Sequence, residues 1–221
     1  MAQIVFENDD FLIVNKPQGV ASTPGMIPDI CTELFTERPE LIAVKGYNKK
    51  EGGLLNRLDN ETGGLVLFAK NDESFAKYSH IMKSSSVTKE YIAIVTGVPE
   101  AASGIITTPI SHHSKNKSKM TINDKFYRGN PQEATTEWTL LDSKNETSIL
   151  KVVITKGVRH QIRVHLSSIN LPIIGDKLYN KSTSTENNHL LFCYAMTIPT
   201  ENNQKIRIEI KPEFVDRYMY S

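Results

Sequence analysis

Short apolar runs with a two-residue period recur along this chain, and they limit what it can fold into more than any other feature. Ile206, Ile208 and Ile210 fall on one side of KIRIEI, while IVFE and FLIV within residues 3–14 read as two short strands joined by Asn8-Asp9-Asp10. In VTKEYIAIVTG, Tyr91, Ala93 and Val95 alternate with Glu90, Ile92 and Ile94, the pattern of a strand covered on both faces. TTEWTLL, SILKVVIT and LLFCYAMTIP add further strand-like runs. Strands outnumber helices, so the expected class is α+β, with a largely antiparallel sheet flanked by helices and loops.

The helical signals are fewer. Residues 28–43 are expected to be helical. Asn71 or Asp72 can cap a helix that carries Phe75, Tyr78, Ile81 and Met82 on one stripe and ends at serines 84–86. After Gly157, the segment RHQIRVHLSSIN places Ile162, Leu166 and Ile169 at helical spacing, with Asn170 and Pro172 as terminators. Between residues 54 and 70, LLNRLD, the turn NETGG and LVLFAK read as strand, turn, strand, and NKSTSTENN reads as a loop. With 221 residues and 39% hydrophobic content the chain can bury one sizeable core, and residues 1–221 are expected to form a single domain.

Several classes are disfavoured. Cys31 and Cys193 lie far apart and match no metal-ligand spacing, which suits a reduced compartment. The opening MAQIVFENDD carries acids where a secretory signal needs positive charge, and no apolar run approaches the roughly 20 residues of a membrane span, so a cytoplasmic location is expected. A net charge of +1 does not announce a nucleic-acid partner, so any RNA affinity has to come from local patches. The main such patch is the stretch 111–132, where His112, His113, Lys115, Lys117, Lys119, Lys125 and Arg128 stand among scattered apolar residues, as in an extended loop or hairpin.

Two stretches carry candidate chemistry. The first, Asn56-Arg57-Leu58-Asp59-Asn60-Glu61-Thr62-Gly63-Gly64, packs an arginine, two carboxylates and two glycines between apolar runs, and by itself reads as a hairpin turn. It is not a calcium loop, because the twelfth position from Asp59 is Lys70, where a bidentate Glu is required. The second runs from Lys156 to His165. Arg159 and Arg163 are four apart, so they are expected to share a helical face near an N-terminus, able to hold phosphate or a carboxylate. His160 and His165 are five apart and His112 and His113 lack a third ligand, so no metal site is expected. Tyr91 and Trp138 read as core residues. Spacing alone stops at a carboxylate turn and a basic helix.

The blocks taken together resemble the RluA-type pseudouridine synthases. NRLDNETGGLVLFAK, residues 56–70, is similar to that family's H-R-L-D-x-x-T-S-G-L-L-L-F-A-K. NKPQG at 15–19, KEYIAIVTG at 89–97 and GVRHQIRVHLSSINLPIIGDKLY at 157–179 resemble its other blocks, in the family's order. The resemblance implies a pseudouridine synthase-like fold with its active-site cleft in the middle. It also implies isomerisation of uridine in tRNA or rRNA, with no cofactor and no metal. It places the catalytic aspartate at Asp59, the active-site tyrosine at Tyr91 and the arginine that pairs with the aspartate at Arg163. Arg57, Asn56, Lys89, Arg159 and His160 fall on or beside motif positions expected to contact RNA, and Lys117 and Lys119 join them from the basic stretch. The chain departs from the pattern at Asn56 (His in the family), Gly63 (Ser) and Val158 (Arg), and Leu191-Phe192-Cys193 stands where Leu-His-Ala is common. Because NKPQG begins at residue 15, no additional N-terminal RNA-binding domain is expected, and the protein is expected to act as a monomer. The rival reading is a catalytically silent RNA-binding protein on the same fold.

Overall fold

A computed structural model describes residues 2–122, 127–200, 204–212 and 214–219. In chain order it begins with strands β1 (Gln3–Glu7) and β2 (Phe11–Lys16), helix α1 (Ile30–Glu37), a 3-10 turn (Pro39–Ala43), β3 (Gly63–Ala69) and α2 (Asp72–Lys83). Then come β4 (Thr88–Thr96), β5 (Ser103–Ile106), β6 (Ile110–His113), β7 (Met120–Thr121), β8 (Tyr127–Gln132), β9 (Thr136–Lys144) and β10 (Thr147–Ile154). Helix α3 (Gln161–Ser168), β11 (Leu191–Pro199), β12 (Lys205–Glu209) and α4 (Val215–Met219) complete it. The chain divides into two compact units, Met1–Thr88 with Cys193–Ile210 and Lys89–Phe192 with Lys211–Ser221.

In the first unit the strand order is β1-β2-β3-β11, with β12 on β11. The ladders β1–β2, β2–β3 and β11–β12 are antiparallel, and β3, whose sequence is GGLVLFA, is buried along its whole length. The side chain of Asn71 accepts the Ser74 N–H and starts α2 where the sequence places its cap. Phe75 and Tyr78 from its apolar stripe are buried, and the Tyr78 ring meets Phe11 edge-on with centroids 5.0 Å apart.

The second unit holds β4-β10-β9-β5 in that order, again antiparallel, and a separate three-stranded sheet β7-β6-β8. β4 is buried on both faces, as its unbroken apolar alternation requires. Beneath the small sheet, Ile110, Met120, Ala134 and Val164 form an apolar cluster joined by Ile122, Val158 and Tyr179. The α+β expectation holds, and every one of these ladders is antiparallel.

Three local readings need correction. The helix expected over 28–43 is cut in two, because Pro39 cannot continue α1 and a 3-10 turn follows instead. LLNRLD does not form a strand: only Leu54 bridges to Phe68 and Leu55 N–H bonds to Leu67 O, after which side-chain bonds take over from the ladder. The helix near RHQIRV starts only at Gln161, since His160 sits in the left-handed region at φ 54°. The stretch 111–132, expected as an extended loop or hairpin, takes the hairpin form among its described residues, with β6, β7 and β8 paired antiparallel, while Lys125 lies outside the described residues. Cys31 and Cys193 are both buried free thiols, and burial pushes Cys31 up to about 12. Among the described residues no helix is long and apolar enough to cross a membrane.

Candidate active site

In the first unit the Asp59 turn is fixed through its backbone. Leu58 donates its N–H to Ser22 Oγ at 2.9 Å and accepts the Ser22 hydroxyl at 2.8 Å, while Thr62 N–H closes the turn on Asp59 O at 3.0 Å. The N-K-P-Q-G segment grips the next residues: Gly19 N–H bonds to Asn60 O at 2.9 Å and Gln18 Nε2 to Glu61 O at 3.0 Å. The Asp59 side chain, half-buried, stands on a turn whose carbonyls are committed to the segment beside it.

Lys16 is the centre of that brace, and its role is not apparent from the sequence. The side chain is fully buried, and Nζ donates to Pro17 O at 2.9 Å, Val20 O at 2.6 Å and Asn60 O at 3.1 Å. Three carbonyls match the three donors of an ammonium. Burial pushes Lys16 down to about 7, with the negative charge of Asp59 acting in the opposite direction. The signal lay inside NKPQG, but a lysine in a turn reads as a surface residue unless its acceptors are known.

Neighbouring motif positions are tied locally. Asn56 accepts the Leu67 N–H at 2.7 Å and donates to Leu65 O at 3.3 Å, so its amide substitutes for ladder bonds along β3. Arg57 is largely exposed and donates to the buried Glu51 carboxylate at 3.1 Å.

In the second unit, Lys89 and Tyr91 lie on β4, both buried, opposite Ile154 and Val152 of β10. Helix α3 carries Arg163, which is buried and makes two parallel bonds to Asp176, Nε to Oδ2 at 2.7 Å and Nη2 to Oδ1 at 2.9 Å. Asp176 also accepts the Leu178 and Tyr179 N–H groups. Burial raises its pKa, yet the Arg163 hydrogen bond and charge, the Leu178 N–H and His189 outweigh it and hold the carboxyl below the usual range. Sequence spacing does not single out Asp176 as the partner, although it lies within the GDKLY block that resembles the family.

Arg159 and Arg163 do not share a helical face. The left-handed His160 ends the preceding loop, so Arg159 turns outward, with Nη1 3.3 Å from Lys117 O and Nη2 3.5 Å from Ser118 O, while Arg163 points inward. His160 Nδ1 lies 2.9 Å from the Tyr179 hydroxyl. His165 donates from Nε2 to Thr108 O at 2.8 Å and accepts the Thr136 hydroxyl on Nδ1 at 2.8 Å, and burial lowers its pKa. It is a neutral core histidine. Lys117 is exposed, and Lys119 places Nζ 5.7 Å from the centroid of the Tyr179 ring. Among the described residues no group of three or more His, Cys, Asp and Glu is placed to hold a metal ion.

A sequence model of the family described as RNA pseudouridylate synthase matches residues 10–168, most of the chain. The chain belongs to the RNA pseudouridylate synthase family. Among relatives of this chain, ribosomal large subunit pseudouridine synthase D of Yersinia pestis is 34% identical over 80% of this chain and 52% of its own length. An uncharacterised RNA pseudouridine synthase of Helicobacter pylori is 36% identical over 88% of this chain and 70% of its own. The chain spans about half the length of several of these relatives, 52% to 59% in the cases from Yersinia pestis, Synechocystis and Aquifex aeolicus. The solved structure of human RNA pseudouridylate synthase domain containing 1 superposes with a TM-score of 0.81 at 23% identity, covering 98% of this chain and 86% of that one, which shows a common fold. The expected α+β pseudouridine synthase fold is therefore correct.

Proposed function

We propose that this chain isomerises uridine in an RNA to pseudouridine, with Asp59 as its catalytic carboxylate. The observation that carries the proposal is the bracing of the Asp59 turn. A half-buried carboxylate on a backbone pinned by Ser22, Gly19, Gln18 and Lys16 is held in one place.

The reaction breaks the bond from C1′ to N1, turns the uracil while it stays bound, joins C1′ to C5, and moves the C5 proton off as N1 gains one. Asp59 serves it by attacking C1′ or by removing the 2′-proton, and both routes need the carboxylate ionised. Arg163 and Tyr91 take the roles that family resemblance gives them, Arg163 supporting the carboxylate and Tyr91 offering a π-face to the base. A uridine stacked in RNA has to be flipped out, at a cost of a few kcal/mol that loops and single strands reduce. Asn56, Arg57, Lys89 and His160 are assigned to the flipped nucleotide, and Lys117, Lys119 and Arg159 to flanking phosphates. The Yersinia pestis relative is named for the large ribosomal subunit, so large-subunit ribosomal RNA is the first substrate to try, with transfer RNA second.

The test is tritium release from RNA carrying 5-tritiated uridine, extracted from cells that lack the protein. Release is expected with the native chain and background counts with Asp59→Ala. Equal release from both proteins removes Asp59 from the chemistry, and no release from either RNA class favours a silent RNA binder.

A further inference from the structure

The small sheet β7-β6-β8 contains a two-residue strand, and β8 is exposed along its length. Such a sheet has little stability of its own. Its position is set by what it leans on, and one side chain recurs in those contacts. Tyr179 accepts the Met120 N–H from β7 on its hydroxyl at 2.7 Å, and the same oxygen lies 2.9 Å from His160 Nδ1, the residue that opens α3. Its ring stacks beneath the Arg163 guanidinium at 5.3 Å and beneath Lys119 Nζ at 5.7 Å. Its own N–H bonds to Asp176 Oδ1, the oxygen that also receives Arg163. A cation from the basic hairpin and a cation from the helix thus meet on a single aromatic ring.

We propose that Tyr179 is a positioning residue that ties the basic hairpin to Arg163, so that RNA held by the hairpin is registered against the guanidinium. The inference rests on the pseudouridine synthase reading for its functional half, while its structural half stands on the contacts alone. The hydroxyl and the ring do different things. The hydroxyl fixes where the hairpin sits, which governs how well RNA is gripped. The ring supports Arg163, which governs the chemical step.

Tyr179→Phe removes the hydroxyl and keeps the ring, and Tyr179→Leu removes both. For Tyr179→Phe, the KM for RNA is expected to rise about five-fold with kcat within two-fold of native, the size of effect that losing one net hydrogen bond produces. For Tyr179→Leu, kcat is expected to fall as well. A fall in kcat for Tyr179→Phe with KM unchanged, or no change in either constant, overturns the division of labour. A second measurement needs neither RNA nor activity: hydrogen exchange in the free protein. Tyr179→Phe is expected to speed exchange of the amides from Lys119 to Thr121 about ten-fold, while those of β4 stay protected. If only the Met120 amide changes, the hydroxyl does not hold the hairpin, whatever the protein catalyses. If exchange responds as expected but native protein releases no tritium from any RNA, the coupling stands and the catalytic reading fails separately.

Discussion

Arg163 and Asp176 face each other through two parallel hydrogen bonds of 2.7 and 2.9 Å, in a pair that solvent scarcely reaches. The bidentate geometry fixes the plane of the guanidinium as well as its place. Asp176 in turn is oriented by the Leu178 and Tyr179 N–H groups, so the loop after α3 determines how Arg163 is presented.

Removing one member of this pair leaves the other buried and unmatched. Asp176→Ala is expected to lower unfolding free energy by about 3–5 kcal/mol, read from urea denaturation, and to depress activity in parallel. Asp176 has a folded pKa below its ordinary 3.8, so its contribution is fully present above that value and declines as pH falls through the folded pKa. A loss under about 1 kcal/mol would mean that Arg163 finds equivalent partners elsewhere.

Lys16 has the same sign of pH dependence as Asp176, in a higher pH window. Its folded pKa of about 7 lies below the ordinary 10.5, so between these values the unfolded chain holds a proton that the folded chain releases. Stability from this site is therefore complete above 10.5 and is lost as pH falls toward 7. Urea titrations from pH 7 to 10 on native protein and Lys16→Met isolate the effect. The native-minus-variant difference is expected to rise with pH, by at most about 1.4 kcal/mol per unit. Parallel curves would show that the three carbonyls keep Lys16 protonated throughout the range.

At Gly64, β3 lies close against the backbone of β11. A Cβ there would collide with Cys193 O and lie 2.7 Å from Cys193 N, and the residue sits at φ +114°. These are backbone atoms of an adjacent strand, which cannot rotate away. Gly64→Ala is expected to destabilise by about 3 kcal/mol or more, since overpacking and strain act together. Gly129, at φ +73° with no atom within 4 Å, is the control, and its alanine variant should show only a strain cost of about 1 kcal/mol. Similar melting temperatures for the two variants would sink the close-approach argument.

The residues that could be placed from sequence are those whose environment is local. Asn71 caps α2 because its acceptor reaches Ser74, three residues on, and β4 is buried because nothing in Tyr91 to Val95 tolerates solvent on a whole face. What escaped were contacts between distant segments. Asp176 lies 13 residues from Arg163 across a loop, and the burial of Lys16 depends on Asn60 O, 44 residues away. The expected pairing of Arg159 with Arg163 failed for a single-residue reason: the left-handed backbone of His160 breaks the helical phase between them. LLNRLD reads as the first strand of a strand, turn, strand unit, yet Ser22 and the N-K-P-Q-G segment satisfy much of its backbone in place of a ladder partner.

The same distinction between holding a position and neutralising a charge separates the basic residues. Lys117 is exposed and its charge is available to phosphate, so Lys117→Ala is expected to weaken RNA binding and to flatten the dependence of log Kd on log salt by about 0.7–0.9. Lys45, whose ammonium pairs with Asp72 at 3.4 Å in the other unit, serves as the control and should leave the slope unchanged. Tyr179→Phe removes no charge, so it should shift the whole line without changing its slope. Fluorescence anisotropy across a salt series reads all of them at once. A flattened slope for Tyr179→Phe would mean that the hydroxyl acts by placing Lys119 against a phosphate, whereas an unchanged slope for Lys117→Ala would move the phosphate contacts off the hairpin altogether.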